Sequence, residues 1–81
     1  MLREKMQVSS VNWVCIADIQ EPVRAEVKIR NKHSAAPATL YPTGDAARVT
    51  VQFDEAQRAV TPGQAAVFYA GELVLGGGWI D

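Results

Sequence analysis

Apolar and polar residues alternate strictly along residues 23–30: Val23, Ala25, Val27 and Ile29 are apolar, and Arg24, Glu26, Lys28 and Arg30 between them are polar. A period of two places these sets on opposite faces of a pleated strand, so the segment predicts a strand with one face in a core and one in water. Residues 48–53 repeat the pattern, with Val49, Val51 and Phe53 set against Arg48, Thr50 and Gln52. Four further segments, 8–14, 38–41, 65–69 and 73–80, carry the β-branched and aromatic residues that strands favour. Turn-formers separate the segments. Pro42-Thr43-Gly44-Asp45 lies between two of them, Pro62-Gly63 suits the centre of a type II turn, and Ala70-Gly71 closes a hairpin.

Apolar residues nowhere keep helical spacing for three turns, although residues 54–59 have room for one short helical turn. The expected fold is therefore all-β. Six short strands suggest a small barrel or sandwich, and the closed barrel is favoured because closure removes the exposed edges that endanger a small sheet. Residues 31–37 lack periodicity and read as a loop, and residues 1–6, with mixed charges, read as a linker remnant or a frayed start of the first strand. The 81 residues allow one domain, spanning 1–81.

Composition narrows the function. With 48% hydrophobic and 21% charged residues the chain has the make-up of an ordinary globular domain, and its formal charge of -1 provides no global attraction to phosphate. Any nucleic-acid contact must therefore be local. The single cysteine, Cys15, excludes an internal disulfide framework and fits the cytosol. No apolar run approaches the ~20 residues of a membrane helix, and no signal-peptide pattern opens the chain.

Few residues offer reactive chemistry. Cys15 and His33 lack a recognisable third group to orient them as a nucleophile and base, so they read as a packed thiol and a solvated imidazole. Asp54 and Glu55 are adjacent, point to opposite faces of an extended chain, and form no acid–base pair. Gly76, Gly77 and Gly78 have no following helix and no Walker lysine, so they mark a bulge or a close crossing rather than a phosphate loop. The remaining feature is a basic cluster of Arg24, Lys28, Arg30, Lys32 and His33, with Glu26 among them. On charge alone it reads equally as a phosphate-contacting surface or a solvated strand face.

Longer motifs carry a resemblance. The run Phe53-Asp54-Glu55-Ala56-Gln57-Arg58-Ala59-Val60-Thr61-Pro62-Gly63-Gln64-Ala65-Ala66-Val67-Phe68-Tyr69, followed by Val74-Leu75-Gly76-Gly77-Gly78-Trp79-Ile80, closely resembles the closing motif of tRNA-specific 2-thiouridylases. Val11-Asn12-Trp13, Lys28-Ile29-Arg30 and Pro37-Ala38-Thr39 match the order of that family. The chain departs from it at Asn31, Lys32, His33, Ser34 and Ala35, where an aromatic, an arginine and a proline-rich turn are usual, and at Ala56, where proline is common.

The resemblance implies a carboxy-terminal barrel similar to the second domain of elongation factor Tu, attached to an amino-terminal ATP-pyrophosphatase domain and a small central domain. In such an enzyme ATP adenylates the wobble uridine of tRNA at C2, and a cysteine persulfide supplied by a sulfur-relay donor protein delivers sulfur. The ATP loop and catalytic cysteines belong to the amino-terminal domain, so the resemblance implies no catalytic residue, cofactor or metal ligand in this chain, and Cys15 matches no catalytic cysteine. Two roles for the barrel follow. It contacts tRNA through Arg24, Lys28, Arg30 and Lys32, or it is a structural module that packs on the other domains, with Trp13, Phe68 and Trp79 as candidate contacts.

Overall fold

The structure, a computed structural model, describes residues 2–14, 16, 18–29, 35–58 and 62–81. Every regular element among them is a strand: β1 (Leu2–Trp13), β2 (Val23–Ile29), β3 (Ala36–Pro42), β4 (Val49–Arg58), β5 (Ala65–Ala70) and β6 (Leu73–Ile80). The strands close into a barrel in the order β1-β4-β3-β2-β5-β6, with β6 returning to β1 and every pairing antiparallel. The expected six-stranded all-β barrel is the observed fold.

Period-two alternation builds the interior. Ala25, Val27 and Ile29 of β2, and Val49, Val51 and Phe53 of β4, point inward and are buried. Met6, Val8, Leu40, Phe68, Leu75 and Ile80 complete the fill from the other strands. Size complementarity holds across neighbours: Ala38 lies opposite Phe53 and Ala25 opposite Ala38, so the small residues leave room for the ring in a narrow cylinder. Ile19, from the connection between β1 and β2, joins this core. No polar side chain is buried among the described residues, so the interior rests on apolar packing.

Turn geometry follows the glycines. Gly63 has φ +88°, as the third residue of a type II turn requires. Ala70 pairs with Leu73 across Gly71 and Glu72, and Gly71 has φ +63°, which fits the first central position of a two-residue hairpin turn.

Some expectations are corrected. Of the two readings of residues 1–6, the described residues 2–6 are the start of the first strand and not a linker: β1 begins at Leu2, pairs with Arg58 and Gln57 of β4, and buries Met6. Residues 54–58 form no helical turn, because β4 continues through them to Arg58. Both were obscured by an irregularity in the ladder, where Lys5 faces Gln52 and Arg3 faces Gln57, so residues 53–56 stand against Glu4 alone. Of the loop expected at 31–37, residues 31–34 lie outside the described residues, whereas Ala36 and Pro37 are not loop but open β3, paired with Val27 and Glu26 of β2.

A second bulge shapes β6. Ser10 and Val11 of β1 together face Gly78, Ser10 takes φ 52°, and the Val11 amide donates to the carbonyl of Ala47 at 2.9 Å. A Cβ at Gly76 would lie 2.5 Å from the Asn12 carbonyl oxygen, one at Gly77 2.7 Å from that of Ala66, and one at Gly78 2.6 Å from that of Ser9. The glycine run is therefore a close crossing of three backbones. Gly76→Ala should destabilise the barrel by about 1–3 kcal/mol through forced backbone displacement. A urea unfolding midpoint equal to that of the unaltered chain would contradict this crossing.

Candidate nucleic-acid interface

Strand β2 presents Arg24 and Lys28 on its exposed face, with half-buried Glu26 between them. Arg30, Lys32 and His33 lie outside the described residues, as does Cys15. The predicted cluster is thus placed at two of its members, and their situations differ. Arg24 is engaged: its guanidinium donates to both carboxylate oxygens of Asp54, at 2.6 and 2.7 Å, and to Thr39 Oγ1 at 3.1 Å. Lys28 makes no ion pair with a described residue and projects beside Val67 of β5.

The pairing of Arg24 with Asp54 has an electrostatic signature. Asp54, through this hydrogen bond first and its charge second, holds the guanidinium above its ordinary pKa; the same hydrogen bond holds the Asp54 carboxyl below its ordinary 3.8. With side chains 62% and 44% exposed, the pair is solvent-screened and contributes little to stability. Its effect is local: Asp54 neutralises one of the cations that the sequence offered to RNA.

Barrel closure brings two further cations to the same side. Lys5 faces Gln52, Gln52 faces Thr39, and Thr39 faces Arg24, so these four side chains form one row across β1, β4, β3 and β2. Strand spacing of ~4.8 Å makes the row about 14 Å long. Arg3 extends it, and neither Arg3 nor Lys5 makes an ion pair with a described residue. Sequence reading missed both by treating residues 1–6 as a linker remnant or a frayed strand start. The alternation of Arg3, Lys5 and Gln7 against Met6 and Val8 was a usable signal, broken by Glu4. Around the row stand Gln7, Thr50 and Tyr41, with Thr50 Oγ1 3.0 Å from Gln7 Oε1. This side can offer a phosphate backbone cations and neutral hydrogen-bonding groups. No group of three His, Cys, Asp or Glu side chains suited to a metal occurs among the described residues.

Of the aromatic candidates, Phe68 is fully buried and Trp13 is half-buried, its ring centroid 5.9 Å from that of Phe68 and its indole N–H donating to the Ala46 carbonyl at 2.7 Å. Trp79 is 52% exposed on the opposite side of the cylinder.

Comparison with known proteins places this fold. Residues 3–80 match the family described as the aminomethyltransferase beta-barrel domain. The tRNA-specific 2-thiouridylase MnmA of Solibacter usitatus is 64% identical over all of this chain and 22% of its own length. The protein of the same name from Koribacter versatilis is 49% identical over 99% of this chain and 21% of its own. The chain belongs to the tRNA-specific 2-thiouridylase family, as its carboxy-terminal barrel. Like the Acidobacterium capsulatum relative, 50% identical with 21% of its length covered, these 2-thiouridylases are far longer, and the chain spans about a fifth of them.

Because the Asp54 carboxyl titrates below its ordinary value, the pair's contribution is present above pH 3.8 and is lost as pH falls through the lowered value. Replacing Arg24 (Arg24→Gln) should return the Asp54 carboxyl midpoint to about its ordinary value, read by carbon-13 NMR titration. An unmoved midpoint would show that Arg24 does not hold the carboxylate in solution.

Proposed function

We propose that this barrel is the non-catalytic, tRNA-contacting part of a cytoplasmic enzyme that 2-thiolates the wobble uridine of tRNA. In that reading ATP activates C2 of the uridine and a cysteine persulfide, charged by a sulfur-relay donor protein, supplies the sulfur. Both steps belong to the amino-terminal domain. The observation that carries the reading is the match of the whole chain to proteins named tRNA-specific 2-thiouridylase. The barrel's own residues support a binding role: Lys28 stands unpaired among the described residues, and Gly76, Gly77 and Gly78 lie within a strand against neighbouring carbonyls instead of cradling phosphate.

Arg24, Lys28, Arg30 and Lys32 are the proposed contacts to the tRNA backbone. Such contacts position RNA without reading its sequence, because lysine and arginine on a strand face meet phosphates and not base edges. They release counterions, so their affinity is salt-dependent. No helix of the described residues is long and apolar enough to cross a membrane.

Charge reversal of Lys28 and Arg30 in the full enzyme should weaken tRNA binding at low salt and flatten the salt slope by about one unit for every phosphate that is no longer neutralised. Filter binding between low and moderate salt measures it; an unchanged slope and affinity would remove the RNA-contacting role. The 81-residue chain alone should give no ATP-dependent tRNA thiolation above background. Turnover in that assay would overturn the assignment of chemistry to another domain.

A further inference from the structure

Strands β5 and β6 present an uncharged outer surface. Ala65, Val67 and Tyr69 of β5, with Gly77 and Trp79 of β6, alternate with the buried Ala66, Phe68 and Ile80. Trp79 pairs with Ala65 on β5 and with Ser9 on β1, and Val67 pairs with Gly77, so the indole's partners across the sheet are small. A shallow groove results, floored by Gly77 and Gly78, walled by Trp79 and Val67, and rimmed by Ser10 and Asn12. Gly77 cannot be replaced by a covering side chain, since its Cβ would meet the carbonyl oxygen of Ala66 at 2.7 Å. Among the described residues the Trp79 ring is left 52% exposed.

We infer that this β5–β6 face is the docking surface for the polypeptide that accompanies the barrel in its longer relatives, with Trp79 as the central anchor. Three observations choose this occupant. The relatives carry roughly four-fifths of their length outside the matched region, so a large covalently linked partner is always at hand. The outward residues of the face carry no cation: Lys28 stands at its β2 border, and Arg48 beyond its β1 border is held by Asp81, so the face itself lacks what RNA binding requires. An exposed tryptophan amid small uncharged neighbours, with a polar rim, has the composition of an interface centre. The facing surface should be apolar and should insert a side chain over Gly77 and Gly78. The inference rests on family membership and not on RNA contact by β2.

Hydroxyl-radical footprinting reads the oxidation rate of Trp79 directly. It should be compared in the 81-residue chain and in a full-length chimera whose host, the Solibacter usitatus relative, has its own barrel replaced by this chain. Several-fold slower oxidation in the chimera is expected. Trp79→Lys should expose the junction to limited proteolysis in the chimera, whereas Trp79→Phe and the loop control Glu21→Gln should not. The isolated Trp79→Lys chain should keep its melting temperature, which separates lost docking from lost folding. Equal oxidation in both contexts would overturn the proposal. Protection already present in the isolated chain and lost on dilution would assign the face to a second copy, and protection that appears only with added tRNA would assign it to RNA; either result overturns it.

Discussion

Backbone meets backbone along β6 more closely than any side chain permits, and the cylinder closes through that contact. The strand runs between β1 and β5, and a Cβ at any of its three consecutive glycines would fall within 2.7 Å of a carbonyl oxygen across the ladder. One of the facing strands is itself bulged at Ser10 and Val11, and this local excess of twist brings β1 over Gly78. The amides displaced by these irregularities are still satisfied: Val11 donates to Ala47 and Val14 to Leu75. A chain of this size has little core to spare, so keeping amides paired where the ladder is irregular matters to the fold.

That same requirement decides what the exterior looks like. Glycines chosen for backbone approach leave bare sheet on the outside, and the adjoining Trp79 is exposed as a result. On the far side of the barrel β1, β4, β3 and β2 carry full-length polar side chains.

Strands β2 and β4 were legible because strict alternation survives wherever one face is buried and the ladder is regular. The sequence signal failed where the ladder slips. Between Arg3 and Lys5 the register with β4 shifts, Glu4 takes an inward-parity position near the barrel's end, and both the start of β1 and the end of β4 lost their visible period. The type II turn at Gly63 and the hairpin turn at Gly71 were legible, since positive φ singles out glycine. The candidate site was half-legible. Lys28 could be read from its own strand, but the engagement of Arg24 depends on Asp54, 30 residues away and two strands over, which no local pattern reveals.

Long-range pairing also governs the charge that remains. Arg48 donates to Asp81 Oδ2 at 2.7 Å while Ser9 Oγ donates to Oδ1 at 2.7 Å, so this carboxylate joins the start of β4 to β1 beside the end of β6. With Arg24 held by Asp54, two of the domain's arginines are occupied by single carboxylates placed far along the sequence. Guanidinium suits this use, because its fixed fork matches a carboxylate, whereas a lysine ammonium is a mobile point charge better left for a phosphate backbone. Lys5 ends the row on β1 and Lys28 stands four residues along β2 from Arg24, both without an ion pair to a described residue, so a polyanion crossing this surface would meet its strongest attraction there and paired or neutral groups between them. In a domain with formal charge -1, any attraction for a polyanion depends on where its charges sit.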